Sequence, residues 1–175
     1  MSDSRLSTRL IQTIGISASL ILSGVITASS ALVVPRLLES PAPLLLRQWN
    51  NMYEQGKLRI GPLAIIPSLS YFYLAYNERT AAFPALWKAN AYTTAGFLAA
   101  AIGPYTWTVM RPTNVKLKTK ATEVRMLNST DEAVDVAALS METAHKLLDV
   151  WALLNLGRAA VVASSGVLGV WTALN

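Results

Sequence analysis

The 26 residues Val150–Asn175, VWALLNLGRAAVVASSGVLGVWTALN, decide the fold. A single charge, Arg158, interrupts an otherwise uncharged apolar run. A membrane-crossing helix needs about 20 mostly apolar residues, and this stretch exceeds that length. Three further runs resemble it. Arg9 and Arg36 bracket 26 uncharged residues, Leu10–Pro35, and Lys88 and Arg111 bracket 22, Ala89–Met110. Arg59 and Glu78 bracket only 18, Ile60–Asn77, and Pro62 and Pro67 lie inside them, so a kink or tilt is expected there. The pattern predicts an all-α integral membrane protein. It reads as one domain over residues 1–175, a four-helix bundle with spans near 10–35, 60–77, 89–110 and 150–174.

Composition agrees. Of 175 residues, 15 are Lys or Arg and 10 are Asp or Glu, so 14% are charged. A typical soluble domain carries about 25%. The apolar share is 53% and the mean hydropathy +0.38, which fits neither a water-soluble globule nor a disordered chain. The chain has no Cys, which excludes disulfides, thiolate metal sites and thiol catalysis. Its one His excludes a two-His facial triad, bis-His haem and paired di-iron motifs. The first apolar run is far longer than the ~7–15 residues of a signal-peptide core, so it reads as a retained anchor helix.

Small residues recur along the first span (Gly15, Ala18, Ser19, Ser23, Ala28, Ala31) and the fourth (Ala159, Ala160, Ala163, Ser164, Gly166, Gly169). Such residues let helices approach closely in lipid. The first and third connections carry ten Lys or Arg, against four in the N-terminal tail and second connection. The positive-inside rule then puts both termini on the non-cytoplasmic side. The pI near 9.7 reports this orientation, and no nucleic-acid partner is expected. Membrane lipid is the expected surrounding, and a homo-oligomer is left open.

The third connection holds Ser129-Thr130-Asp131-Glu132, a capping-box sequence. Val134, Ala138, Met141, His145 and Leu148 follow at helical spacing. This predicts an additional amphipathic helix near 130–148, either continuous with the fourth span or bent near Lys146. Pro112 is expected to end the third span, with Tyr105 and Trp107 in an interfacial aromatic belt.

Arg158 lies eight residues inside the fourth span, about 12 Å of helical rise. A central Arg costs at least ~2.5 kcal/mol on insertion scales, so it should face an interior, a wet cavity or a bound anion. Trp151, Asn155 and Arg158 are spaced i, i+4, i+7 and share one helix face. His145 and Asp149 are spaced i, i+4, an arrangement that orients an imidazole as a base, on a face offset by roughly 100–140°. Thr113 and Asn114 follow Pro112, where a cavity mouth is expected. With Glu142 and Asp149 as the only near acids, the lone His makes a weak metal site, and none is expected. Neither a Walker A sequence nor a G-x-G-x-x-G is present. These residues alone are compatible with an enzyme, a scaffold in which Arg158 pairs internally, or a carrier whose Arg binds an anion.

Four pieces go further. The first span ends in Val33-Val34-Pro35, and a connection carries Trp49, Tyr53 and Gly56. The third span closes on Met110-Arg111-Pro112-Thr113-Asn114-Val115-Lys116-Leu117, and the fourth opens with Trp151-x-x-x-Asn155-x-x-Arg158. Together they resemble the fungal anthrone oxygenase family of small membrane proteins, over nearly the whole chain. The resemblance implies oxidation of a polyketide anthrone to an anthraquinone by molecular oxygen, in fungal secondary metabolism, with no metal or flavin. It implies an endomembrane such as the endoplasmic reticulum. In that reading His145, oriented by Asp149, removes the carbon-bound proton. Arg158 and Asn155 stabilise the oxygen anion, Trp151 lines an apolar slot, and Asn114, Thr113 and Tyr105 complete the substrate site.

Overall fold

The computed structural model describes the backbone of residues 2–127 and 133–175, and the side chains of 5–126 and 143–175. The described secondary structure is helical throughout. α1 (Ser2–Ala28) passes through a π turn (Ser29–Val33) into α2 (Val34–Leu38). After α3 (Ala42–Arg59), a 3-10 turn at Pro62–Ala64 leads into α4 (Ile65–Thr80). α5 (Leu86–Ala100) and α6 (Ile102–Tyr105) precede a second π turn (Thr106–Met110), which feeds α7 (Arg111–Leu127). α8 (Ala133–Leu174) runs for 42 residues.

Two helical columns, Arg5–Leu38 and Thr143–Leu174, are long and apolar enough to cross a membrane. A third candidate arises if α3 and the Pro62–Thr80 segment, bent by 45°, count as one broken span. The expected spans at 60–77 and 89–110 are both interrupted, one by the 3-10 turn at Pro62 and the other by a turn at Ala101.

Pro112 does not end a helix. It is the second residue of α7, two positions after the last π residue, Met110. Pro35 stands at the same offset from Val33. Proline lacks an N–H, and its ring crowds the carbonyl one turn back. A π turn inserts one residue into the helix and shifts that carbonyl, so the column continues where an α-helix would break.

The connections are helical too. Ala42, Leu45, Leu46 and Trp49 are buried at i, i+3, i+4, i+7, which gives α3 one apolar stripe. Met110, Thr113, Asn114 and Leu117 repeat that spacing into α7. The helix expected near 130–148 is not a separate element: from Ala133 it is the first part of α8, which continues without a break through Lys146. The expected capping box at Ser129–Glu132 lies outside the described residues.

α8 organises two layers. Its C-terminal half contacts α1 and α5, and α4 joins these two by packing against both. Gly15 and Gly166 make that approach possible. A Cβ on Gly15 would sit 2.8 Å from Ser70 Cβ, and one on Gly166 would sit 2.8 Å from Leu20 Cδ2. Ser19 and Gly169 are buried on the same surfaces, whereas Ala160 and Ser164 face outward. The N-terminal half of α8 packs on α2, α3 and α7, around Leu45, Leu46, Trp49, Leu117 and Leu148. Trp49 is thus a core residue, stacked on Tyr53 at 5.2 Å and edge-on to Trp151 at 6.0 Å. Ile14 and Ile21 on α1, Leu69 on α4, Phe97 on α5, and Leu153 and Val167 on α8 are exposed. So much exposed apolar surface suits contact with lipid tails.

Candidate functional site

A cavity of about 560 Å³ opens where the two layers meet. Its lining comes from the C-terminal part of α1, the end of α3, the second π turn, α7, and the Trp151–Arg158 face of α8. This is within the ~300–1,000 Å³ of small-molecule sites. Leu22, Ile26, Met52, Ile60, Ala64 and Met110 make much of the wall apolar.

Three of the expected residues meet there on one face of α8. Trp151 Nε1 donates to Asn114 Oδ1 at 2.9 Å. Asn155, fully buried, donates through Nδ2 to the Ile26 carbonyl at 3.0 Å and to Ser30 Oγ at 2.9 Å. With both amide protons committed, its Oδ1 accepts from Arg158 NH2 at 2.6 Å. Arg158 NH1 donates to Thr106 Oγ1 at 3.2 Å, and Thr106 in turn donates to the Ile102 carbonyl at 2.7 Å.

The guanidinium is therefore held by both π turns. One arm reaches the first turn through Asn155 and Ser30, and the other reaches the second through Thr106. Its Nε is buried without a hydrogen-bond partner among the described residues. A guanidinium has five N–H donors, and two of these bonds leave donor capacity for a ligand. No Asp or Glu stands among the described lining residues, so the cavity favours an anion. Outside the apolar spans, Lys118 pairs with Glu54 and holds that carboxyl below its ordinary range, chiefly through their hydrogen bond.

Other expected residues lie elsewhere. His145 Nε2 is 3.2 Å from the Leu38 carbonyl, so the ring turns toward the end of α2 and away from the cavity lining. Asp149 is exposed. The spacing put them within reach of each other, but the carbonyl at the end of α2 draws the imidazole inward, while the carboxylate stays on the outer face. Thr113 is buried but off the lining. Tyr105 is a brace: its hydroxyl donates to the Leu154 carbonyl at 3.0 Å, and a Cβ on Gly157 would collide with it. No group of three metal-ligating side chains (His, Cys, Asp or Glu) occurs among the described residues; Glu142 falls outside the described side chains.

Sequence reasoning gave no role in the site to Thr106, Ser30, Tyr53, Lys57, Arg111 and Lys118, all of which line or brace the cavity. Prolines inside otherwise unbroken helical patterns mark the two π turns, and Thr106 and Ser30 lie on those turns. Lys57 and Lys118 were read only as topology signals, and Arg111 as a topology signal and a member of the Met110–Leu117 motif.

Residues 49–168 match the family model described as anthrone oxygenase. An anthrone oxygenase of Aspergillus fumigatus is 34% identical over 176 aligned positions, covering 94% of this chain and 93% of its own. One from Emericella nidulans is 27% identical, covering 85% and 89%. One from Aspergillus novofumigatus is 39% identical over 95 positions, covering 53% and 57%. No solved structure matches the chain.

Proposed function

This chain belongs to the anthrone oxygenase family, and from that premise we propose that its cavity oxidises an anthrone to an anthraquinone with molecular oxygen. One observation carries the reading: a half-buried Arg158, donating to two neutral acceptors, faces a largely apolar cavity with no carboxylate among its described lining residues.

A phenolic anthrone supplies its own electrons. Loss of a proton from its methylene carbon gives an anion whose charge rests largely on the carbonyl oxygen across the ring. Arg158 binds that oxygen, and the free guanidinium donors hold the charge as it develops. The anion passes one electron to oxygen, and the resulting radical and superoxide combine at the former methylene carbon. The peroxide takes up a proton. Loss of water, with the remaining carbon-bound hydrogen, leaves the quinone carbonyl. One anthrone and one oxygen thus yield one quinone and one water. The chemistry uses no metal or flavin.

Asn155 and Thr106 position the guanidinium. Trp151, fixed by Asn114, forms the flat wall against which the tricycle lies. The described lining has no carboxylate or imidazole, so the proton leaves to solvent under the pull of Arg158, and His145 supports the α2–α8 contact through the Leu38 carbonyl.

In the membrane, α1, α4 with its preceding turn, α5 through the second π turn, and α8 are the four spans. The cationic side of the cavity faces the cytosol of an endomembrane, and the termini face its lumen. The test is oxygen uptake by purified protein with an anthrone, before and after exhaustive chelation. Enzyme-dependent uptake should persist at one oxygen per quinone. Activity lost on chelation and restored by stoichiometric iron or copper would contradict the mechanism.

A further inference from the structure

The cavity holds more positive charge than the oxidation uses. Arg158 alone meets the anion formed on the ring, yet Lys57, Arg111 and Lys118 line the cavity too. They differ in setting: Arg158 is half-buried, whereas Lys57 and Arg111 are exposed. Arg111, Asn114 and Lys118 lie at i, i+3, i+7 on α7, so one helix face presents all three. Aromatic rings back this cationic edge. The Arg111 guanidinium lies 4.4 Å from the centroid of Trp107, and the Lys118 ammonium 4.9 Å from that of Tyr53. Both rings also line the cavity.

Glu54 matches Lys118. Glu54 also feels Lys57, one turn away, so one carboxylate faces two ammonium groups, and Arg111 makes no ion pair among the described residues. A guanidinium resting on an indole keeps its in-plane N–H edge for a planar, bidentate acceptor. An uncharged tricycle offers that edge only single, neutral phenol or carbonyl oxygens.

We propose that this edge is a carboxylate subsite: the preferred substrate is an anthrone bearing a ring carboxylate, with its carbonyl end at Arg158 and its acid end at Arg111 and Lys57. The inference rests on the anthrone reading and adds a specificity to it. The carboxylate takes no part in the electron transfer. It fixes which end of the flat ring system enters first, and so holds the methylene carbon where oxygen can reach it.

The experiment compares an anthrone with its ring-carboxylated counterpart. Wild-type kcat/KM should favour the acid by about tenfold or more, and the preference should shrink as salt screens exposed charges. In the Lys57→Ala/Arg111→Ala double variant the ratio should fall close to unity. A wild type without preference, or a preference that survives in the double variant, would overturn the subsite. If these cations hold phospholipid headgroups instead, the substitutions slow both substrates in parallel and leave the ratio unchanged, which also overturns it. The two matching quinones, which do not turn over, provide a second readout through quenching of tryptophan fluorescence. If neither anthrone is oxidised but the acidic quinone binds more tightly in a Lys57- and Arg111-dependent way, the subsite stands and the oxidation fails. Equal binding of the two quinones removes the subsite whatever the turnover.

Discussion

Replacing Thr106 by Val keeps the volume and β-branching of the side chain and removes its hydroxyl. Two bonds disappear: the one accepted from Arg158 NH1 at 3.2 Å and the one donated to the Ile102 carbonyl at 2.7 Å. A hydrogen bond to a charged group is worth about 1.5–3 kcal/mol. The Arg158 bond is long, and Asn155 still holds the other arm at 2.6 Å. The lower end, about 1.5 kcal/mol, therefore applies, or roughly a tenfold loss of rate. The loss should fall on kcat, because the guanidinium is misaimed at an anion that forms only as reaction proceeds. KM, set by the apolar walls, should change little. Thr106→Ser restores the acceptor and should recover most of the rate. The assay is quinone formation at saturating anthrone, corrected for spontaneous oxidation in a protein-free control, with thermal unfolding measured in parallel. A folded Val variant with wild-type kcat, or a Ser variant as slow as Val, would refute the positioning role.

His145→Ala should slow turnover far less than loss of Arg158, and its rate should still rise with pH, because the ring contacts the Leu38 carbonyl and is not among the described lining residues of the cavity. A variant whose pH dependence disappears over pH ~5–8, where imidazoles ordinarily titrate, would return the base to His145. Gly157→Leu should displace Tyr105 and lower both stability and rate, whereas Gly24→Ala, which meets open space, should leave the melting temperature unchanged. A glycosylation acceptor fused after Asn175 should be modified in microsomes; a tag that stays unmodified and cytosol-accessible would reverse the orientation.

The helical class and the two longest columns were legible because uncharged runs longer than a bilayer leave few alternatives. The Trp151–Asn155–Arg158 face was legible for the same reason: α8 is regular there, so spacing alone fixes which side chains share a side. The sequence reading failed where regularity failed. Pro112 reads as a helix end by its missing N–H, and only the π turn before it lets the column continue. α3 and α7 read as loops because their apolar stripes are interleaved with Arg47, Lys57, Lys116 and Lys118. The direction of His145 depends on where α2 ends, which no local pattern encodes. Thr106 is separated from Arg158 by 52 positions, so their contact belongs to the packing of the second π turn against α8.

Oxygen consumption by purified wild type and Arg158 variants, with an anthrone and a protein-free control, tests the central assignment most directly. Wild type should consume one oxygen per quinone formed. Arg158→Ala should remain folded and lose ~10²–10³ in rate, the usual cost of removing one preorganised oxyanion donor. Arg158→Lys should recover only part of it, because a point charge cannot engage Asn155, Thr106 and the substrate oxygen together. A folded Arg158→Ala protein that oxidises the anthrone at the wild-type rate would contradict the account.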